Sequence, residues 1–267
     1  MMASCASKND KEATAAESLL QETRAAIDRG DYTGAIELLD TLQTRYPTVT
    51  DAQRKAMNLR PVAIEGLTIQ EIEDTDSLFA VTGWQADSLS RLFRTVSHKD
   101  LVEPYHVSKD APQSLIGINT LQARLSPAGE FYLISSLDGH PVKHTSVTVE
   151  VGGESASTES IPFDNARNYR SGNYETITFS SAKCDSIARF ITRHDNKAMK
   201  LAYNGDKTYR TNISAKEVHR IADAWRWSAA QRRHKAAGKK LELLRAKLQL
   251  ARDQQAITSA ASEQAAD

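Results

Sequence analysis

The stretch SVTVEVGGESASTE, residues 146–159, is the part of the sequence that decides the fold. Valines alternate with polar residues from 147 to 151, which is the period of a strand with one buried face. Two glycines follow at 152 and 153, and a two-residue turn of this kind joins the strands of many β-hairpins. We therefore predict a hairpin in which Val149 lies opposite Ala156 and Thr148 lies opposite Ser157.

The sequence around this hairpin predicts a β-rich head over residues 99–213. Three further strands are predicted, and these are Ile116–Leu125, Glu130–Leu137 and Tyr174–Phe179. One short helix is predicted after Ser180 and Ser181, whose hydroxyl groups suit a helix start. Four apolar side chains fall on one face of that helix, namely Cys184, Ile187, Phe190 and Ile191.

The segment Asn204–Asp206 predicts the turn of a second hairpin. A two-residue turn would place Leu201 opposite Thr208, whereas a three-residue loop places Leu201 opposite Tyr209. We favour the three-residue loop because it gathers the apolar residues on one face.

Two long helical patterns flank the head, and they cover residues 51–98 and 214–257. The first is interrupted at Pro61, and the second begins with the capping-box spacing of Ser214 and Glu217. Beyond Pro61, apolar and small residues recur at spacings of three and four, which predicts a seam for a partner helix. The seam residues are Ile72, Thr75, Phe79, Thr82, Ala86, Leu89, Phe93 and Val96.

Charge favours an antiparallel pairing of these two helices, since like charges would meet in other alignments. The start of the first helix is acidic, with Glu65, Glu71, Glu73, Asp74 and Asp76. The far part of the second is basic, with Arg232, Arg233, Lys235, Lys239, Lys240, Arg245 and Lys247. We therefore predict that the two helices form an antiparallel stalk.

Residues 13–50 predict a helical hairpin. A turn at Gly30, Asp31 and Tyr32 separates two apolar helix faces, and Pro47 follows the second helix. The spacing of Gly30, Ala35, Leu39 and Pro47 resembles the second half of a tetratricopeptide repeat. That resemblance implies a peptide-binding groove, but repeats of this kind need about three copies to bury a continuous core. We favour a helical hairpin packed on its neighbours.

The first residues, 1–12, contain Met2-Ala3-Ser4-Cys5, which resembles a bacterial lipobox. The resemblance implies lipidation of Cys5, and Ala6 after it implies the outer membrane. A lipoprotein signal also needs a basic region and an apolar region before this motif, and only four residues stand there. We therefore expect the start of the signal peptide to be missing from this chain.

The C-terminal helix suggests a second kind of contact, because residues 226–247 carry eight basic residues and one acid, Glu242. Two tryptophans, Trp225 and Trp227, lie beside this run, and such a helix could bind phosphates or anionic lipid. Lysines plus arginines and aspartates plus glutamates both number 34, so the whole chain is neutral, which argues against nucleic acid. The candidate contact surface is Arg226, Arg232, Arg233, Lys235, Lys239 and Lys240.

The sequence contains no pattern that names a reaction. There is no phosphate-binding glycine loop, no Gly-x-Ser-x-Gly elbow and no zinc-type cysteine cluster. His140 and His144 are four apart, but Pro141 argues against their sharing a helical face as metal ligands. Four tyrosines could form a binding face for a sugar or peptide, and they are Tyr169, Tyr174, Tyr203 and Tyr209. We expect no cofactor and no catalytic residue.

The sequence as a whole predicts an α+β protein with an N-terminal helical hairpin, an antiparallel long-helix stalk and a mostly antiparallel β-head with one short helix. Residues 258–267 are predicted to be a disordered tail. In this order of elements, and at Asp87–Leu89, His144–Ser146, Ile161–Asp164 and Asn168–Arg170, the chain resembles a group of Gram-negative envelope lipoproteins. That resemblance implies a location and an architecture but no activity.

We therefore expect a non-enzymatic, lipid-anchored protein of the periplasm and outer membrane whose head contacts an envelope protein or a glycan. The helices also offer surfaces through which copies of the chain could associate. The alternative is a sugar-binding or enzymatic head with dispersed site residues, or a binder of nucleic acid or anionic surfaces through the C-terminal helix.

The lipobox makes a first prediction. Expressed from the full native open reading frame in the native host, the protein should incorporate radiolabelled fatty acid and partition into the detergent phase. Cys5→Ala should abolish both, because a thioether-linked lipid needs the cysteine sulfur. A soluble, unlabelled wild-type protein would contradict the inferred compartment.

Overall fold

The computed structural model describes residues 8–99, 103–180 and 182–264, which form five helices and ten strands. The helices are α1 (Lys8–Asp28), α2 (Tyr32–Arg45), α3 (Thr50–Ser90), α4 (Ala182–Arg193) and α5 (Ala215–Gln264). The strands are β1 (Phe93–Val96), β2 (Tyr105–Ser108), β3 (Thr120–Leu125), β4 (Phe131–Asp138), β5 (Ser146–Val151), β6 (Glu154–Ser157), β7 (Asn168–Ser171), β8 (Tyr174–Phe179), β9 (Met199–Asn204) and β10 (Thr208–Ile213). The α+β class is therefore confirmed.

The chain divides into two units, a helical unit of residues 1–79 and 236–267 and a head unit of residues 80–235. In the helical unit, α1 and α2 form the predicted hairpin. Gly30 takes a left-handed backbone with φ of 75°, and the Asp31 carboxylate accepts a 3.0 Å hydrogen bond from the Gly34 N–H, which caps α2. Helix α1 begins at Lys8, before the predicted start at residue 13. The hairpin core is Ala16, Leu20, Ala35, Leu39 and Leu42, all fully buried.

The predicted interruption at Pro61 is wrong, because α3 runs continuously from Thr50 to Ser90 with Pro61 inside it. Packing on both sides of the proline compensates for the loss of the backbone hydrogen bond that proline cannot donate. Ala56 and Ala63 are buried there, and Arg60 forms a 2.7 Å ion pair with Asp40 of α2.

Helix α3 also ends earlier than predicted. Phe93 and Val96 were expected on its seam, but they lie in β1, where they pair with Ser108 and Tyr105 of β2. A tertiary contact explains the early end of the helix, since the Phe93 ring packs on Trp227 with ring centroids 4.6 Å apart. A side chain that continues the helical period is here buried as part of a strand.

The antiparallel pairing of the two long helices is confirmed in the helical unit. Three ion pairs join α3 to α5, at 2.8 Å, 3.4 Å and 3.8 Å, and their order along the two helices is opposite. The pairs are Glu65 with Arg252, Glu71 with Lys247 and Asp76 with Arg245. Each is exposed enough to add only about 0 to 1 kcal/mol, so their main effect is on alignment.

Helix α5 begins as predicted and extends further than predicted. Ser214 and Glu217 form the reciprocal capping box, with hydrogen bonds of 2.9 Å and 3.2 Å between each backbone N–H and the other side chain. The helix continues to Gln264, so the backbone of residues 258–264, predicted to be a disordered tail, is helical. No glycine or proline follows Gly238 to stop it.

The head unit contains two antiparallel sheets. One has six strands in the order β1-β2-β3-β4-β8-β7, and the other has four in the order β10-β9-β5-β6. The register of the glycine hairpin is confirmed, since Val149 pairs with Ala156 and Thr148 pairs with Ser157. The inner sides of both sheets contribute to one hydrophobic core, which also includes Ile187 of α4 and Trp227 of α5.

The predicted register of the second hairpin is wrong by two residues. The loop has three residues, Gly205–Lys207, so Leu201 lies opposite Thr211 and not opposite Tyr209. Asn204 stays in the strand because its side-chain amide donates to the Thr148 hydroxyl at 2.9 Å on the neighbouring strand β5. A shift of two residues keeps every side chain on its predicted face.

Helix α4 has the predicted apolar face. Cys184, Ile187, Phe190 and Ile191 are all buried in the core of the head. Ser181, expected near its start, lies outside the described residues, as does the lipobox-like segment that ends at Cys5. None of the described helices is apolar over a stretch long enough to cross a bilayer.

A contact between Gly66 and Tyr32 gives a prediction for the helical unit. A Cβ atom at Gly66 would lie 2.2 Å from Cε1 of Tyr32, so Gly66→Ala should lower the free energy of unfolding by about 1 to 3 kcal/mol. In a Tyr32→Ala background the same change should raise it by about 0.5 to 1 kcal/mol, because alanine is the better helix former. Thermal unfolding followed by far-ultraviolet circular dichroism measures both. A loss of equal size in the two backgrounds would contradict the contact.

Candidate functional site

A buried polar cluster lies between the two sheets of the head, and we call it the His144 centre. Its members are Ser135, His144, Asn168, Arg170 and Glu175. Ser135 on β4 pairs with Ile177 on β8, and Leu137 pairs with Glu175, so Ser135 and Glu175 share the face of these apolar neighbours. His144 precedes β5, which belongs to the other sheet.

Three groups of the centre form a line of hydrogen bonds. The Ser135 hydroxyl lies 2.9 Å from His144 Nε2, and His144 Nδ1 lies 2.7 Å from Oε2 of Glu175. The backbone N–H groups of Lys143 and His144 also donate to this carboxylate, at 2.6 Å and 2.8 Å. Because an ionised carboxylate only accepts, we assign the ring proton to Nδ1, and Nε2 then accepts from Ser135.

Burial and hydrogen bonding set the charge states of this line. Desolvation lowers the pKa of His144, and the neighbouring Glu175 offsets this only in part. Desolvation alone would raise the pKa of Glu175, but the hydrogen bonds from His144 and from two backbone N–H groups together hold that pKa below its usual value. The folded head therefore holds a neutral imidazole beside an ionised carboxylate.

The surrounding residues attach two further segments to His144. The Asn168 amide donates to the carbonyl oxygens of Ile161 and His144, at 2.7 Å and 3.3 Å. Arg170 Nη2 donates to the His144 carbonyl at 3.1 Å, and the Ile161 N–H donates to Thr145 at 2.7 Å. Three of the short segments that carry the lipoprotein resemblance therefore converge here.

The line has the order of groups found in serine hydrolases, hydroxyl to imidazole to carboxylate. Its accessibility differs, because Ser135 and His144 are 0% exposed and Glu175 is 1% exposed. A nucleophile has to reach its substrate, and this hydroxyl is sealed in the head core. In this conformation the groups can join two sheets, but they cannot contact a substrate.

Sequence reasoning missed this centre because its members are far apart in the chain and form no motif. A weaker signal was present. Ser135 alternates with Leu133 and Leu137 in one strand, and Glu175 alternates with Ile177 and Phe179 in another. Each strand therefore has one polar residue on an otherwise apolar face. A buried polar group needs a partner, and such positions indicate one.

The histidine pair does not form a shared site. His144 belongs to the buried centre, whereas the exposed His140 stacks on Tyr209 with ring centroids 4.2 Å apart. Across residues 8–99, 103–180 and 182–264, no group of three or more histidine, cysteine, aspartate or glutamate side chains is arranged to hold a metal ion. Cys184 is buried, and desolvation raises the pKa of its thiol to about 12.

The residues of the predicted basic surface differ in their ion pairs. Arg226 pairs with Asp195 at 2.7 Å and with Asp223 at 3.0 Å, and Arg232 pairs with Asp185 at 2.9 Å. Arg233 and Lys235 are exposed in the head unit, whereas Lys239 and Lys240 belong to the helical unit. Two of the six cations, Arg226 and Arg232, are therefore engaged by carboxylates of the head.

The four tyrosines also separate. Tyr203 is fully buried and donates to the Ser136 carbonyl at 2.7 Å, and Tyr209 and Tyr174 are half-buried. Tyr169 is 58% exposed on β7, and Phe163, in the segment before β7, is 57% exposed. Tyr169 and Arg170 are consecutive residues of the strand, so their side chains leave opposite faces of the sheet. The Arg170 guanidinium lies 4.3 Å from the centroid of the Phe163 ring. We call Phe163, Tyr169 and Arg170 the β7 surface.

Comparisons with protein-family models, curated proteins and solved structures give no match.

The charge states of the His144 centre predict a pH dependence. A histidine with a depressed folded pKa contributes stability that is fully present above its unfolded pKa of about 6.5 and declines as the pH falls below that value. The pKa of Glu175 is also lowered in the folded state, so the free energy of unfolding falls further once the pH drops below its unfolded pKa of about 4.3. The free energy of unfolding of the wild type should fall between pH 7.5 and 5.5, and His144→Gln should remove up to about 1.4 kcal/mol per pH unit of that slope.

Urea titrations followed by tryptophan fluorescence measure this slope for the head, since Trp84, Trp225 and Trp227 all belong to the head unit. Burial also lowers the pKa of His106, which remains in both proteins, so the difference between the two slopes reports His144. Equal slopes in the wild type and the variant would show that the imidazole is not held neutral.

Proposed function

We propose that this is a non-enzymatic, lipid-anchored protein of the periplasm and outer membrane whose β-head binds another envelope protein or a glycan. The observation that carries the proposal is the β7 surface. It exposes two large aromatic side chains around a strand at the end of a sheet, Tyr169 on one face and Phe163, beside Arg170, on the other. Aromatic residues and arginine supply much of the binding energy at protein interfaces.

Two members of the β7 surface, Arg170 and Phe163, are held in place before any partner binds. Arg170 is fixed by its hydrogen bond to the His144 carbonyl and covers Phe163 from one side. The cation–π contact orders the Phe163 ring without hiding it. A preorganised surface loses less conformational entropy on binding, which favours the role of a contact site.

The backbone of β7 supports the same role. Thr178 donates to the Arg167 carbonyl at 2.9 Å, so the hydrogen-bonded pairs of β7 and β8 fall at Arg167, Tyr169 and Ser171. The backbone groups of Arg170 therefore point away from β8, toward the open edge of the sheet. An extended segment of a partner can add to such an edge as a further strand.

Lipid anchoring rests on the Met2–Cys5 resemblance, and the absence of catalysis rests on the sealed Ser135 hydroxyl. The order of Ser135, His144 and Glu175 favours a second candidate, a hydrolase that acts by acyl transfer. That activity would require the head to open, since the hydroxyl would have to reach a substrate carbonyl.

In the native host, a photo-crosslinking phenylalanine derivative at Tyr169 should capture a discrete partner, because this side chain is exposed on the β7 surface. The same residue at Asn212, which is exposed on β10, is the matched control and should give no comparable product. Phe163→Ser should lower the yield at Tyr169 by about tenfold, the effect expected on losing one aromatic anchor.

Two outcomes would contradict the proposal. Equal crosslinking from Tyr169 and Asn212 would show that the β7 surface has no special role. Labelling of the folded protein by a fluorophosphonate, lost in Ser135→Ala, would show that the serine is reachable and would favour the hydrolase.

A further inference from the structure

Side chains of helices α4 and α5 line an open cleft in the head unit. None of these side chains belongs to the His144 centre or to the β7 surface. The cleft has a volume of about 480 Å³. Its lining is Ser186, Arg189, Thr192, Arg193 and Trp225. Ser186, Arg189 and Arg193 are three and four residues apart on α4, so their side chains project from one side of the helix.

The cleft carries an excess of positive charge. Arg189 and Arg193 are both exposed, and Arg232 lies close by, with its guanidinium 4.6 Å from the centroid of the Trp225 ring. The carboxylate of Asp185 is already engaged by Arg232 at 2.9 Å. Arg232 is therefore paired, whereas Arg189 donates from Nε to the Asp185 backbone carbonyl at 3.3 Å. The terminal N–H groups of Arg189 and the guanidinium group of Arg193 can still bind an anion.

Trp225 forms a rigid, half-buried floor. Its ring packs at right angles to that of Phe131, with centroids 5.5 Å apart and planes at 86°. The Arg189 guanidinium lies 6.0 Å from the ring centroid, so an anion bound by Arg189 would lie beside the indole. Tryptophan and arginine together are the residue types that most often dominate binding at protein interfaces.

We infer that this cleft binds an acidic peptide segment of a partner protein, with its carboxylates on Arg189 and Arg193 and an apolar side chain on Trp225. The inference rests on the proposed contact function of the head and names a partner class for a surface distinct from β7. Guanidinium groups bind carboxylates through two parallel hydrogen bonds, which gives the peptide a fixed orientation.

The charge of the whole molecule favours a peptide over a nucleic acid. The chain has equal numbers of basic and acidic residues, 34 of each, so it lacks the long-range positive field that attracts a polyanion. Arg226 is not available to extend the cleft, since Asp195 and Asp223 engage it. The positive charge of the cleft is therefore confined to a small area, which suits a short acidic segment.

The test uses the full chain and a fluorescein-labelled peptide of twelve residues in which glutamates alternate with leucine and glycine. Fluorescence anisotropy at about 50 mM salt reports binding. Arg189→Gln/Arg193→Gln should weaken binding by about tenfold or more, as expected on removing two arginine anchors. Arg233→Gln/Lys235→Gln removes the same charge from an exposed part of α5 and should change the affinity by less than about twofold. A matched peptide with glutamine for glutamate should not bind.

Several results would overturn the inference. If both double variants weakened peptide binding equally, the binding would depend on overall charge and not on this cleft. Failure of the glutamate peptide to bind, or tighter binding of a twelve-residue thymidine oligonucleotide that depends on Arg189 and Arg193, would exclude the peptide class. If partner capture through Tyr169 persists while the cleft variant has no effect on peptide binding, the proposed function stands and only this inference fails.

Discussion

The Glu175 carboxylate is almost fully buried between two sheets, and it must accept hydrogen bonds to be stable there. Three donors supply them, the imidazole of His144 and the backbone N–H groups of Lys143 and His144. Glu175 belongs to the six-stranded sheet, whereas its donors, Lys143 and His144, directly precede β5 of the four-stranded sheet. One buried charge therefore fixes the approach of one sheet to the other, and apolar packing alone would be less specific. Lys143 takes a positive φ of 53° to reach it, a conformation that few residues with side chains adopt.

The same charge explains why the surface of the head is ordered where it is. Asn168 and Arg170 bond to the main chain around His144, and Arg170 in turn supports Phe163. The buried polar cluster thus helps to position one exposed aromatic ring, that of Phe163. The cleft beside Trp225 has a different basis, since its arginines are arranged by the period of one helix and by the Asp185 ion pair.

Local patterns in the sequence predicted much of this fold. The valines before Gly152 gave the correct hairpin register, and the apolar face of α4 and the capping box at Ser214 were found where expected. The errors arose where tertiary contacts compete with local preference. Phe93 continues a helical period, yet it lies in β1, where its ring is buried against Trp227. Strand β7 was missed because its residues are polar, and its pairing with β8 alone defines it. The polar cluster was invisible to spacing rules, because Ser135, His144 and Glu175 meet only after the sheets assemble.

The interdependence of the His144 centre also has a consequence for sequence variation. A change at Glu175 would leave buried donors without an acceptor, and a change at His144 would leave a buried carboxylate short of a donor. Single replacements are therefore costly, whereas joint replacement by apolar residues is not. In chains descended from a common ancestor, Ser135, His144, Asn168, Arg170 and Glu175 should be retained or lost together. Their joint presence would identify distant relatives of this head better than the short N-terminal motif, which many unrelated proteins could acquire by chance.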